Sequence, residues 1–289
     1  MNRATSRKTF AVSEYDLAAT LDSGQAFRWE KTGDVWAAVV DGRWTTLRQT
    51  EDGIEARVAK PVGDWSWLAD YLQVHVDISE VVATFPNDDP MRAAVQECKG
   101  LRLLRQDVWE CLASFILSSN KQILQIRQMA ARICERFGEE VECAGAQGRA
   151  FAFPSASRLA RASEKELREC RLGYRAPYLL GSSRMVSEGA VDLTRIREIG
   201  CDAARDELLK LPGVGRKIAD CALLFSCGYQ DAFPIDVWIM KALKELYFAR
   251  KRKVTPKRLQ VFSQSHFGPY GGYAQQYLFH YMRKRAGRA

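Results

Sequence analysis

The chain has no stretch approaching roughly 18 uncharged apolar residues, so nothing in it reads as a membrane-spanning helix. Its first ten residues carry Arg3, Arg7 and Lys8, but no apolar run follows them, and a secretory leader is not expected. The eight cysteines (Cys98, Cys111, Cys134, Cys143, Cys170, Cys201, Cys221 and Cys227) include no C-x-x-C pair. That removes support for a zinc ribbon or a thioredoxin-type centre. Several fall on apolar helical faces, where a free thiol packs as a small hydrophobe, and a reducing compartment suits such usage. Internal repeats and low-complexity tracts are lacking too.

What is present is a globular composition with a basic bias. Hydrophobic residues make up 47% and charged residues 27%, too apolar for a disordered chain and too polar for a membrane protein. The 43 Lys and Arg against 35 Asp and Glu leave a net charge of +8, which points weakly to a polyanionic partner. A length of 289 residues suits one large domain or two ordinary ones.

The pattern changes along the chain. Phe27 to Glu30 alternates, Val35 to Val40 is β-prone, and Asp41-Gly42 is a hairpin signal before Arg43 to Leu47. Ile54 to Val58 follows the Asp52-Gly53 turn, and short turns imply an antiparallel sheet. Trp65 to Leu72 then predicts a short helix. Beyond that the period is helical. Val108, Cys111, Leu112, Phe115 and Ile116 share a face, as do Ile126, Ala130, Ile133 and Phe137, with Gly138 as the stop. Ser163 with Glu166, Asp236, and Thr255-Pro256 are expected helix starts. The run 250–253, all Arg and Lys, reads as a solvated loop or helix end. The expected class is α+β: an antiparallel β domain over residues 1–88 and a two-lobed helical region over 89–289.

The most informative segment is Leu211-Pro212-Gly213-Val214-Gly215-Arg216-Lys217-Ile218-Ala219-Asp220. A helix-like stretch precedes it and another helix follows. Gly213 and Gly215 let the backbone turn tightly and approach a ligand closely. The following helix begins with unpaired N–H groups and the positive end of its dipole, which favours an anion. This is the helix-hairpin-helix pattern, over about 205–227, which holds a DNA phosphate without reading sequence. Lys217 lies two residues beyond the second glycine, and Asp236 lies nineteen beyond Lys217 in Phe-Pro-Ile-Asp-Val. A lysine amine is a recognised covalent nucleophile, and a carboxylate beside it stabilises positive charge that develops on a substrate. Taken singly, Lys217 also reads as a phosphate contact and Asp236 as an N-cap.

Hairpin, lysine and Pro-x-Asp-Val together resemble the helix-hairpin-helix family of base-excision DNA glycosylases, and within it the 8-oxoguanine glycosylases that are also lyases. The resemblance implies that Lys217 attacks the sugar and Asp236 assists. It extends to Ser23-Gly24-Gln25-Ala26-Phe27-Arg28-Trp29, where the carbonyl of Gly24 is expected to accept the N7 hydrogen that oxidised guanine has and guanine lacks. Ser118-Ser119-Asn120 implies that Asn120 fills the space left by the extruded base. Leu172-Gly173-Tyr174-Arg175-Ala176 implies a wedge at Tyr174 and a contact to the partner base at Arg175. Gly272 to Phe279 implies a base pocket in which Gln275 bonds the base edge, Phe279 stacks on one face and Cys221 lies on the other. Phe225 and Pro234 would complete it. Gly213 and Gly215 would hold phosphate.

No cofactor or catalytic metal is implied, beyond a monovalent cation at hairpin carbonyls. The four-cysteine cluster of related glycosylases has no counterpart after Cys227. The implied partner is duplex DNA containing 8-oxoguanine, met by a monomer without membrane association. A cytoplasmic, nucleoid-associated prokaryotic enzyme is expected, or a nuclear one if the source is eukaryotic. Two positions depart from the family: Gln125 stands where eukaryotic members carry an arginine that reads cytosine, and Trp238 where a histidine is usual. Preference for cytosine opposite the lesion is therefore expected to be relaxed. Two other readings stay open here: a helix-hairpin-helix protein that binds DNA without catalysis, and a sister glycosylase for another damaged purine. Lys217 argues against the alkylated-base branch of the latter.

Overall fold

The computed structural model describes residues 5–143, 148–249 and 254–287. The basic run 250–253 lies outside them. The chain begins with β1 (Ser6–Phe10) and α1 (Leu17–Asp22), followed by β2 (Glu30–Thr32), β3 (Val35–Val40), β4 (Arg43–Thr50) and β5 (Gly53–Val58). The strands form one antiparallel sheet in the order β1-β5-β4-β3-β2. The β3–β4 turn sits at Asp41 (φ 48°) and Gly42 (φ 67°), a left-handed pair that matches strand twist. Register pairs Trp36 with Leu47, and one sheet face buries Trp36, Ala38, Val40, Leu47, Ile54 and Ala56 against Leu17 and Leu21 of α1. A slip of one residue would turn that whole set outward.

Two details differ from the sequence pattern. Ser6–Phe10 pairs as an edge strand although its alternation is slight. Phe27 to Trp29 is not a strand, since β2 starts only at Glu30. Phe27 joins the helical core and Trp29 the sheet core, while Arg28 bonds Glu110 at 3.0 Å. The segment is committed to side-chain contacts on both sides, so it makes no ladder.

Helices follow: α2 (Ser66–Leu72), α3 (Ile78–Ala83), α4 (Asp89–Glu97), α5 (Val108–Leu117), α6 (Ile123–Phe137), and, past a small β6–β7 pair (Glu140–Val141, Ala150–Phe151), α7 (Ala156–Ala160), α8 (Glu164–Glu169), α9 (Ala176–Ser187) and α10 (Cys201–Leu209). Then come α11 (Arg216–Ala222), a π turn (Leu223–Cys227), α12 (Val237–Tyr247), α13 (Pro256–His266) and α14 (Gly271–Arg285). They pack in two groups: α5 against α6, α9 and α11, and α14 against α4, α12 and α13. One apolar cluster runs through both groups. Every residue of α5 except Glu110 is buried, not one face only, because neighbours surround this central helix. Gly138 does end α6, but with extended rather than left-handed backbone; its missing side chain leaves room for the carbonyl of Ala152. The capping box at Ser163 and the caps at Asp236 and Thr255 form where the spacing places them.

Candidate active site at the hairpin

The hairpin between α10 and α11 is fixed from several sides. Gly213 has φ +77°, and a Cβ there would lie 2.6 Å from the Cβ of Tyr178. Both conformation and space therefore require glycine. Ser182 Oγ donates to the carbonyl of Pro212 at 2.9 Å. Gly215 is the N-cap of α11 and offers no side chain, so the first N–H groups of that helix are unclaimed by a cap. Arg205 on α10 bonds Asp220 on α11 at 2.5 Å, both side chains buried. Burial pushes the Asp220 carboxyl up, and Arg205 pulls it back toward the charged form. This clamp sets the angle of α11, and with it the direction of Lys217.

Lys217 is half-buried on the first turn of α11. Its Nζ donates to Ser118 Oγ at 3.2 Å and lies 4.8 Å from the ring centroid of Phe115. Phe115 stacks on Phe225 at 5.7 Å, so an apolar floor underlies the amine. Asp236 begins α12, its Oδ1 accepting the Ile239 N–H at 2.8 Å. Burial holds its carboxyl above the usual range; the cap hydrogen bond and the nearby Lys217 cation oppose that. Cys221, one turn beyond Lys217, is buried, and its thiol is pushed up to about 12 by burial. It lies in the field of both Lys217 and Asp236, so the three share one electrostatic environment. A thiol held neutral is a packing surface there, not a second nucleophile.

The opposite wall comes from α14 and the loop after α1. Gly24 (φ +80°) lies beside Phe279: a Cβ would sit 3.3 Å from its ring and 2.9 Å from Ile123. The loop is anchored by Gln276 Nε2 donating to the carbonyl of Ser23 at 3.0 Å. Gln25 secures it from the other side, its Oε1 accepting the Leu104 N–H and its Nε2 donating to the carbonyl of Arg102, each at 2.8 Å. Arg283 lies 5.7 Å from the Phe279 ring centroid and within electrostatic reach of Asp236. Arg283 thus links the wall with Gly24 and Phe279 to Asp236. Gln275 is buried one turn before Phe279, and its Oε1 has no hydrogen-bond partner among the described residues. A buried acceptor without a donor is expensive unless a ligand supplies one. Pro234 is buried two residues before Asp236; Phe225 forms floor rather than rim.

On the surface beside this cleft, Asn120 is exposed with φ 52°, and Tyr174 is 48% exposed. Arg175 is placed differently from Tyr174. It is buried, donating to the carbonyls of Ser119 at 3.0 Å and Leu172 at 3.3 Å, with Tyr174 stacked over it at 4.2 Å. In this conformation Arg175 holds the loop that carries Asn120, and contact with a base requires release of those bonds. Gln125 lies within the capping box of α6, its Oε1 accepting the Gln122 N–H at 3.3 Å.

Residues 9–112 match the family model of the 8-oxoguanine DNA glycosylase N-terminal domain. Residues 113–265 match that of the HhH-GPD superfamily base excision DNA repair proteins. The chain belongs to the HhH-GPD superfamily. Among its relatives, the N-glycosylase/DNA lyase OGG1 of Arabidopsis thaliana is 33% identical, covering 92% of this chain and 77% of that protein. A structure of MBOgg1 with a low-affinity DNA ligand superposes with a TM-score of 0.91 at 32% identity, over 98% and 96% of the two chains. The Clostridium acetobutylicum 8-oxoguanine glycosylase/lyase, bound to DNA with cytosine opposite 8-oxoG, gives 0.88 at 28% identity, over 99% and 100%.

Within this HhH-GPD fold several supporting residues had no role assigned from sequence. Ser118 bonds a lysine 99 positions away, and Gln276 and Arg283 reach back to the Ser23 and Asp22 carbonyls from the far end of the chain. No local pattern signals such pairs. Arg205 and Asp220 are charges on otherwise apolar helical faces, the one visible hint of a buried pair.

Proposed function

We propose that this chain excises 8-oxoguanine from duplex DNA in base-excision repair and then nicks the strand as an AP lyase. The observation that carries the reading is the Lys217 amine, held by Ser118 on an apolar floor behind the hairpin, in the field of Asp236. The hairpin seats a phosphate at the start of α11, which brings the neighbouring sugar to Lys217. The amine attacks C1′ in its neutral form as the bond to the base breaks, and the base departs with the bonding electron pair. The Asp236 carboxylate stabilises the oxocarbenium-like charge on the sugar. Ring opening gives a Schiff base, and loss of a C2′ proton expels the 3′ phosphate.

Selection follows from the second wall. The Gly24 carbonyl accepts the N7 hydrogen of the oxidised base, and guanine would present an acceptor to it instead. The unpartnered Gln275 Oε1 takes a donor from the base edge. Phe279 and Cys221 enclose the ring, with Pro234 and Phe225 behind. Asn120 and Tyr174 occupy the gap in the duplex, and Arg175 supports them and faces the partner base once released. Carbonyl oxygens have two lone pairs. Those of Pro212 and Leu211 each accept one bond, from Ser182 Oγ and the Val214 N–H, so they fit a monovalent cation. The enzyme acts as a monomer in the compartment that holds the DNA. Among the described residues no helix is long and apolar enough to cross a membrane.

The test is borohydride trapping on a duplex with 8-oxoguanine opposite cytosine, wild type beside Lys217→Gln, with an undamaged guanine duplex as control. A covalent adduct with wild type and the lesion alone is expected. Binding without any adduct would overturn the lyase assignment and leave a damage-binding protein or a simple hydrolase.

A further inference from the structure

A cleft of about 550 Å³ lies between the sheet and the helical region, away from Lys217. It falls in the size range of small-molecule sites, at the junction of two structural units where such sites concentrate. Two of its carboxylates are cancelled by ion pairs, Glu110 with Arg28 and Asp41 with Arg43. Asp107 caps α5, and Asp70 lies 3.9 Å from His75. Beside those two carboxylates stand two further guanidiniums. Arg197 makes a weak bond to the carbonyl of Gln106 at 3.4 Å. The Arg105 guanidinium has, among the described residues, no hydrogen-bond or ion-pair partner.

Arg105 is not a loose surface arginine. Its N–H donates to the carbonyl of Tyr71 at 2.9 Å, and the next N–H donates to the carbonyl of Phe225 at 2.8 Å. Its guanidinium lies where a side chain on residue 228 would be; Gly228, at φ +83°, leaves that space empty. Arg197 stands close enough that the two cations repel, and burial adds to that cost. The Arg105 fork, without an acceptor among the described residues, and the Arg197 fork beside it, bonded weakly to the Gln106 carbonyl and to Cys227, suit a phosphoryl group, which accepts in the bidentate geometry that guanidinium offers. Trp67 borders the same cleft, with the Arg43 guanidinium over its ring at 4.8 Å, and its indole N–H is buried without an acceptor among the described residues. With Tyr71 it provides an aromatic wall.

This cleft is separate from the DNA-binding end of α11. Cys227, which lies in the field of Arg105 and Arg197, is ten residues beyond Lys217 along that helix and the π turn. At 1.5 Å per residue the separation is roughly 15 Å. We propose that the cleft is a second anion site, which takes the phosphoryl group of a nucleoside monophosphate between Arg105 and Arg197, with its base against Trp67 and Tyr71.

The test is calorimetric titration of the whole chain with adenosine 5′-monophosphate, adenosine and inorganic phosphate. The monophosphate binds at sub-millimolar concentration, and the other two bind about tenfold more weakly or worse, because each keeps only half of the contacts. Arg105→Gln and Arg197→Gln each weaken monophosphate binding about tenfold or more, with thermal unfolding and Lys217 trapping retained. A duplex with an abasic analogue does not displace the ligand. Absence of binding up to about 1 mM overturns the proposal. So does equal binding of adenosine, equal binding of phosphate, indifference to both substitutions, or displacement by the duplex.

Discussion

Two helices of this protein start in the same way and to different ends. Asp107 caps α5 by accepting the Glu110 N–H at 2.8 Å, and Asp236 caps α12 by accepting the Ile239 N–H at 2.8 Å. Local chemistry does not distinguish them. Their surroundings do: Asp107 is exposed, whereas Asp236 is half-buried in the field of Lys217, with its carboxyl raised by burial. A cap needs only an oxygen at the right place. A carboxylate that stabilises charge on a sugar needs a dry site beside the reacting carbon. Asp220 is a third case, buried and raised like Asp236 but spent on Arg205.

The comparison is broken most severely by removing the group that gives Asp236 its role. Lys217→Gln is expected to lower base release at least ~10³-fold and to abolish trapping, the result that loss of the proposed nucleophile requires. Single-turnover rates on the lesion duplex measure this.

Next, Arg205→Met leaves Asp220 buried without its cation. The expected cost is about 3–5 kcal/mol of stability in urea unfolding, with much of it recovered when Asp220 is replaced by leucine as well. If Arg205→Met costs nothing, the clamp does not set α11.

The sharpest contrast comes from asparagine at the two caps, because asparagine caps helices as well as aspartate does. Asp236→Asn is expected to slow base release about 10²-fold, by analogy with the loss of one charge-stabilising group. Asp107→Asn should stay within about twofold, as an exposed position without contact to the reacting atoms. Equal effects would show that capping alone explains both residues.

The same pair differs in its pH dependence. Asp236 has a folded pKa above its unfolded value. Its contribution to stability is therefore present in full below the ordinary carboxylate range and is lost as pH rises through the folded value. Asp236→Asn should raise the unfolding temperature at neutral pH, and the advantage should vanish below about pH 4. Base release by wild type should fall on acidification at a higher pH than an ordinary carboxylate would dictate. Differential scanning and a pH–rate profile check both.

The smallest effect concerns the partner base. With Gln125 committed to the α6 capping box, discrimination of cytosine over the other bases opposite the lesion is expected to stay below about tenfold, less than one full hydrogen-bonded reading arginine provides. Rates opposite C, A, G and T decide; a strong preference for C alone would restore a reader elsewhere, with Arg175 the first candidate.

Much of the fold was legible because its signals are local. The Asp41-Gly42 turn, the Ser163 box, and the caps at Asp236 and Thr255 each depend on a few adjacent residues. The hairpin glycines were legible for the same reason, since Gly213 needs a conformation that few other residues adopt. Less legible were features that depend on distant partners. Phe27 to Trp29 alternates like a strand but is divided between two cores, and Arg175 follows an exposed aromatic yet is buried by the Ser119 carbonyl.

The sequence by itself determined the order of elements, the tight hairpin, the α+β class and which residues could react, because periodicity, glycine and capping act within a few positions of the chain. Only the tertiary structure decided which of them share an environment. Ser118 reaches Lys217, Gly24 meets Phe279, and Asp236 shares the field of Lys217, because residues far apart in the chain are packed together, and charges interact more strongly where water is excluded.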